Sequence, residues 1–241
     1  MINVICVKHG TKYSVDYVNR LYNMISRHLT MPYKFYCFTE DPADINPNII
    51  VREFPHSKFK GWWWKPYIFK QGLFPDTGVN FYIDLDMVIV KNIDKFIDYL
   101  PGQFLGLRDP GRVWRPHHQM LGSAVMRWPT NQFSDIWEKM ESNPNLSSKF
   151  HGDQNYIYDL HKDRIVFYPD DWIRSYKWEV RTRSELLSDN SNFKEIRKVT
   201  LHTDTAILAF HGKPMVHIVK DPIIVDNWIY YALVNGQGSQ L

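Results

Sequence analysis

Phe81-Tyr82-Ile83-Asp84-Leu85-Asp86-Met87-Val88-Ile89-Val90 places two carboxylates inside a run that is otherwise apolar, aromatic and β-branched. The stretch Val79 to Val90 therefore reads as a strand. An unpaired carboxylate is costly to bury, so Asp84 and Asp86 need partners. In a continuous strand, residues i and i+2 point the same way, and both side chains converge on one spot. Two like charges that close repel unless a cation or a proton lies between them. A hard divalent cation meets this need with oxygen ligands and leaves positions open for phosphate oxygens and water. The competing reading is a pair of strand-end aspartates that cap turns or pair with Lys and Arg. The flanking Tyr82-Ile83 and Met87-Val88-Ile89-Val90 argue against it, because a turn rarely sits inside such a run.

On the N-terminal side of this stretch, Ile2 to Val7 reads as a strand that ends in the polar loop Lys8-His9-Gly10-Thr11. Ser14 is a plausible N-cap for a helix with Val15, Val18, Tyr22, Ile25 and Leu29 on one face. Strands follow at Tyr33 to Thr39 and Ile49 to Glu53, so the chain opens with a βαβ unit and a parallel sheet. Pro66 and Gly72 bracket a short helix, Pro66 to Gln71. On the C-terminal side, strands are expected at Gln103 to Leu107, Gly122 to Trp128, Arg164 to Tyr168 and Ile207 to Phe210. Helices are expected at Asn131 to Met140, Asp153 to His161 and Pro222 to Val234. Asp170 to Val199 is the most irregular stretch. Elements of both kinds alternate with no repeat and no linker, which predicts an α/β fold in a single domain over residues 1–241.

Composition narrows the function classes. The 241 residues carry a net charge of +3, too small and too dispersed to argue for nucleic acid. No apolar run approaches the ~20 residues that span a bilayer, so no integral membrane attachment is expected. The first residues, Met1 to Val7, lack a charged leader and read as a strand rather than a signal peptide. Cys6 and Cys37 both lie in apolar runs and read as buried thiols of a cytoplasmic protein. Aromatics make up 15% of the chain, with 9 Trp; such rings fill cores and also stack on sugars or bases.

Tyr82-Ile83-Asp84-Leu85-Asp86-Met87-Val88 resembles the D-x-D signature of GT-A nucleotide-sugar glycosyltransferases, in particular glycosyltransferase family 8 and its relatives. Other segments fall in the family's chain order. Leu121-Gly122-Ser123-Ala124-Val125-Met126 is similar to its N-S-G-V-M strand, with Gly and Ala in place of Asn and Gly. Gly152-Asp153-Gln154-Asn155 is similar to its D-Q-D segment, with Asn155 for the second acid. Phe210-His211-Gly212-Lys213-Pro214 is similar to a shortened form of its C-terminal H-F-x-G-x-x-K-P segment. The resemblance implies a Rossmann-like GT-A domain with a central, mainly parallel mixed sheet flanked by helices. Residues 1–100 would form its nucleotide-binding half and 101–241 its donor-sugar and acceptor half. It implies a hexosyltransferase that uses Mn2+ or Mg2+ and a UDP-sugar, or a GDP-sugar, with retention of configuration. Asp84, Asp86 and His211 would hold the metal. Val7, Lys8, Tyr13, Lys65, Asp84, Ser123, Gly212 and Lys213 would bind the donor, with Tyr13 as the base-stacking aromatic. Asp153 and Gln154 would lie nearest the reacting sugar. The acceptor stays open: a saccharide, a lipid-linked sugar, a protein or another group.

The same residues carry bland readings. His211 could be a satisfied core histidine, although a neutral imidazole also ligates divalent metals, and its partner Lys213 offers a point charge to a diphosphate. Lys65, just before Pro66, would sit at the positive end of a short helix, a conflict that a phosphate would resolve. Asp153 could serve simply as a helix N-cap, and Ser123 as a small strand residue. Of Trp62, Trp63 and Trp64, one or two are expected to face a cleft. Trp172, Tyr176 and Trp178, interleaved with Arg174, Lys177, Arg181 and Arg183, could hold an acceptor sugar, a phosphorylated acceptor or single-stranded nucleic acid; such a pattern is more often a solvated, partly packed surface, and no site residue is assigned there. Two other functions fit in part. Asp84-x-Asp86-x-Val88 also matches the nucleophile motif of haloacid-dehalogenase-like phosphatases, but that motif normally ends the first strand, whereas a whole βαβ unit precedes it here. A non-catalytic nucleotide-sugar-binding module would keep the binding residues without turnover.

Overall fold

The computed structural model describes residues 1–55, 59–75, 77–180 and 201–228. The fold is α/β, built on a seven-stranded mixed sheet. Its strands are β1 (Ile2–Lys8), β2 (Tyr33–Thr39), β3 (Ile50–Arg52), β4 (Val79–Ile83), β6 (Phe104–Arg108), β7 (Leu121–Pro129) and β8 (Ile165–Phe167), in the spatial order β3-β2-β1-β4-β7-β6-β8. β1 runs parallel to β2 and β4, and β2 runs parallel to β3. β7 is antiparallel to both β4 and β6. A second, three-stranded sheet pairs β5 (Met87–Ile89) with β10 (Ile207–Ala209), which also pairs with β9 (Ile173–Ser175).

Alternation along the strands builds two cores. Val4 and Cys6 of β1, Phe35 and Cys37 of β2, and Phe81 and Ile83 of β4 face the helix α1 (Val15–His28), which contributes Val18, Leu21 and Ile25. Ile5, Tyr36, Phe38 and Tyr82 face the other way. There they meet a 3-10 helix, Gly61–Phe69, together with α3 (Asp135–Ser142) and α4 (Asp153–His161). A sheet covered on both faces is what near-continuous apolar strands require; all seven residues of β1 are buried. The short helices α2 (Asp94–Asp98) and α5 (Pro222–Trp228) complete the order. Among the described residues no helix is long and apolar enough to cross a membrane.

Several expectations change. Val79 to Val90 is two strands: β4 stops at Ile83, Asp84 to Asp86 form a turn closed by Met87 N–H to the Asp84 carbonyl (3.3 Å), and β5 restarts in the second sheet. Continuing β4 would carry both carboxylates into a buried ladder, and the turn leaves them at the sheet edge instead. The helix expected from Pro66 is a 3-10 helix beginning at Gly61, so Lys65 lies inside it rather than ahead of it. The helix expected from Asn131 starts at Asp135, because Asn131 and Phe133 take left-handed backbone angles (φ 59° and 65°) that no helix admits. Ser14 occupies the N-cap position of α1, but its side chain makes no cap bond. Asp153 is not the cap of α4; Gly152 is, and Asp153 is the first helical residue. Ile207 to Phe210 joins the small sheet, not the large one. Residues 181–199 of the irregular stretch, with Arg181 and Arg183, and the 229–234 end of the last expected helix lie outside the described residues.

Candidate functional site

The parallel strands β1, β2 and β4 end on one edge of the large sheet, and antiparallel β7 begins there. Ligands of open α/β sheets bind outside such carboxyl ends. The Asp84–Asp86 turn stands at this edge and is pinned on both sides. Asp84 N–H donates to the Ala124 carbonyl of β7 (2.8 Å), and the Asp86 carbonyl accepts from Phe210 N–H (3.3 Å). The second contact continues the antiparallel register of β10 on β5, in which Ala209 faces Met87. It delivers the next residue, His211, to the turn.

Two cavities meet at this turn. One, of about 340 Å³, is walled by Asp84, Asp86, Ser123, Asp153, Gln154 and His211 among others. The second, of about 270 Å³, is walled by Val7, His9, Tyr13 and Tyr82. Lys12, Trp62, Lys65, Asp84 and Asp86 border both, so the two are lobes of one cleft.

Asp84 sits in a self-compensating cluster. Lys65 is buried, and its Nζ lies 3.2 Å from Asp84 Oδ1, 3.3 Å from Asp153 Oδ2 and 3.0 Å from Ser123 Oγ. Ser123 Oγ donates to Asp153 Oδ2 at 2.6 Å, and Tyr82 donates its hydroxyl to Asp84. Burial pulls the Lys65 pKa down, but Asp153 and Asp84 outweigh it and hold the ammonium above its ordinary value. Burial, reinforced by Asp84, pushes the Tyr82 phenol well up. A buried charge is tolerable only when paired and hydrogen-bonded in this way. The cation expected to await a phosphate is thus already engaged by two carboxylates.

Asp86 is differently placed. Its Oδ2 accepts one hydrogen bond, from Tyr13 OH at 2.6 Å. Burial and the nearby Asp84 push its pKa up to about 6, against the opposing pull of the Tyr13 bond. Burial, with Asp86 next, raises the Tyr13 phenol as well. His211 is held neutral: burial and then Lys177 lower it to about 4. Its Nε2 shares a 2.7 Å hydrogen bond with Ser175 Oγ, and Trp178 stands edge-on at 4.3 Å. Gly212 follows with φ 71° and open space at its missing side chain, so the backbone turns there without strain.

Asp84, Asp86 and His211 all line the larger lobe, yet among the described residues no three His, Cys, Asp or Glu side chains gather into a ready-made metal cluster. The donor set nonetheless fits a divalent ion of intermediate hardness: two crowded carboxylates, one with a raised pKa, and a neutral imidazole. Two expected donor-binding residues lie elsewhere. Lys8 is buried with its Nζ 3.5 Å from Asp41, and Lys213 is exposed; neither lines a lobe. Trp62 is the member of the triplet that lines the cleft, while Trp64 stacks on Phe54 at 4.4 Å.

Sequence reasoning missed Asp109, whose Oδ2 accepts from Gln154 Nε2 at 3.2 Å and whose Oδ1 caps Gly111 N–H at 2.7 Å. Its signal was present: an Asp-Pro-Gly turn directly after a predicted strand. Lys12, which borders both lobes, and Trp178 were also unassigned.

No protein-family model matches this sequence, and no curated protein sequence is similar to it. Solved structures are similar in fold. The galactosyltransferase LgtC, solved in complex with donor and acceptor sugar analogues, superposes with a TM-score of 0.65 at 12% identity, covering 98% of this chain and 97% of that one. The glycosyltransferase GlyE of Streptococcus pneumoniae TIGR4 gives 0.63 at 12% identity over 100% of this chain and 67% of that one. The bifunctional glycosyltransferase WbbM gives 0.62 at 13% identity over 95% and 49%. The fold is that of GT-A-type glycosyltransferases.

Proposed function

We propose that this chain transfers a hexosyl group from a nucleoside-diphosphate sugar, a UDP-sugar in the first instance, to an acceptor, with retention of configuration and with Mn2+ or Mg2+ as cofactor. The observation that carries this reading is the two-lobed cleft whose lobes meet at Asp84 and Asp86 on the carboxyl edge of a GT-A sheet. The lobe with Val7 and Tyr13 takes the nucleotide, and Tyr13 offers an aromatic face to the base. The lobe with Ser123, Asp153 and Gln154 takes the sugar. Asp84, Asp86 and His211 would hold the metal, which when bound supplies Lewis-acid charge neutralisation to a diphosphate.

The chain's own residues do the positioning. Lys65 holds Asp84 and Asp153 together and thereby fixes the turn against α4. Ser123 Oγ orients the Asp153 carboxyl, which keeps lone pairs for sugar hydroxyls. Gln154 is steadied by Asp109 next to it. Lys12, at the junction of the lobes, adds positive charge where a diphosphate would pass between them. In such a transfer the acceptor oxygen forms a bond to the donor's anomeric carbon. The bond from that carbon to the diphosphate oxygen breaks with its electron pair, and the acceptor's proton ends on the diphosphate.

The test is UDP release from a panel of UDP-sugars with Mn2+, comparing the unaltered protein with Asp86→Ala. Loss of one electrostatic stabiliser is expected to lower turnover by ~10²–10³-fold. Undiminished metal-dependent turnover by that variant defeats the assignment.

A further inference from the structure

The donor reading leaves an aromatic track unexplained. Trp178 lines the larger lobe on the turn after β9, edge-on to His211 at 4.3 Å. Its backbone N–H donates to the buried Ser175 Oγ at 3.1 Å, which fixes where the indole stands. Trp114, on the turn after β6, lies outside both lobes and is 47% exposed. Its ring meets that of Trp178 edge-on, with centroids 6.2 Å apart and planes at 77°. The two indoles therefore lead from the lobe out to the surface. Leaving nearly half of so large an apolar residue exposed forgoes burial that a core position would gain. Beside this track, inside the lobe, stand Asp109 and Gln154, bonded to each other but each with donor or acceptor capacity left.

A ligand for this wall needs C–H faces for the indoles and hydroxyls for a carboxylate and an amide at the same time. An acyl chain would leave the spare hydrogen-bonding capacity of Asp109 and Gln154, beyond the bond they share, unmet at a desolvation cost. A base would stack but bring few hydroxyls. A sugar ring presents both faces and hydroxyls. One ring covers one indole, and the track has two at different depths.

We propose that the acceptor is an oligosaccharide of at least two sugar residues, with its terminal residue against Trp178, hydrogen-bonded by Asp109 and Gln154, and its next residue against Trp114. This inference deepens the transfer reading and rests on it.

Binding to an array of immobilised glycans, from single sugars to hexasaccharides, tests it in the presence of UDP and Mn2+. The unaltered protein is to be compared with Trp114→Ala, Trp178→Ala and Trp178→Phe, each checked for folding by its melting curve. Glycans of two or more residues should bind about tenfold more tightly than single sugars. Trp178→Ala should weaken binding of all glycans about tenfold, while Trp178→Phe, which keeps an aromatic face, should retain most of it. Trp114→Ala should bring longer glycans down to the level of single sugars. The proposal is overturned by no glycan binding, by equal binding of single sugars and longer chains, by an unchanged Trp114→Ala profile, or by preferential capture of single-stranded oligonucleotides or lipid vesicles. A rise in Tm of the unaltered protein with UDP and Mn2+ separates the two readings: with that rise and no glycan binding, only the oligosaccharide falls; without it, the transfer reading falls too.

Discussion

The two ends of the Asp84–Asp86 turn carry the same functional group in opposite circumstances. Asp84 borders the cleft but is already engaged by Lys65 and Tyr82, in a cluster where Ser123 and Asp153 complete the hydrogen bonds and charges. Asp86 faces the cleft with one hydrogen bond, from Tyr13, and a pKa pushed up to about 6 by burial and by Asp84. One carboxylate holds the fold together, and the other is left wanting a cation. Spacing alone cannot separate two such roles; the difference arises from what each neighbouring strand brings to the edge.

The largest effect that would break this contrast is on Lys65. Its removal leaves two carboxylates facing each other without their shared cation. Lys65→Met is therefore expected to destabilise the protein by roughly 3–5 kcal/mol, the usual loss when one partner of a buried ion pair is removed. Urea unfolding measures it, and a change within about 0.5 kcal/mol would mean that Asp84 is no structural anchor. Asp86→Asn should act the other way. It removes a strained charge without removing bulk, so the metal-free protein should melt higher at pH 7, while Mn2+ should no longer raise its Tm. A variant that melts lower without metal would erase the distinction between the two carboxylates.

Much of this arrangement was legible before the structure. The alternating elements, the parallel opening unit and the convergence of Asp84, Asp86, Ser123, Asp153, Gln154 and His211 on one lobe followed from apolar runs and from a family resemblance. The turn between Ile83 and Met87 was not, because two strands in different sheets, end to end, leave the same β-branched run as one long strand. Lys65 was misplaced for a related reason. A 3-10 helix with Pro66 inside it has no periodic signature that distinguishes it from a helix starting at the proline. Asp109 was missed because its partner Gln154 lies 45 residues away, and Trp178, named only as one of several aromatics that could hold an acceptor, was left unassigned because no local pattern links it to His211, 33 residues on.

The smallest effect sharpens the contrast most, because it isolates a single proton. A carboxyl raised from 3.8 to about 6 keeps its proton in the folded protein after the unfolded chain has lost its own. Between about pH 4 and pH 6 the native state binds more protons than the unfolded state, so this group makes stability fall as the pH rises. Asp94, lowered by its bonds to Thr30 despite burial, and Asp135, lowered by Lys139 and His161 despite burial, act with the opposite sign. The total pH profile therefore mixes these contributions, and the informative quantity is the stability of the unaltered protein minus that of Asp86→Asn, followed by urea unfolding across this range. That difference should fall from pH 4 to pH 6 and level off above it. The same proton must leave before a cation can bind, so Mn2+ affinity should rise over the same interval. A flat difference would place Asp86 in the same compensated state as Asp84, and the turn would then have no side better suited than the other to hold a metal.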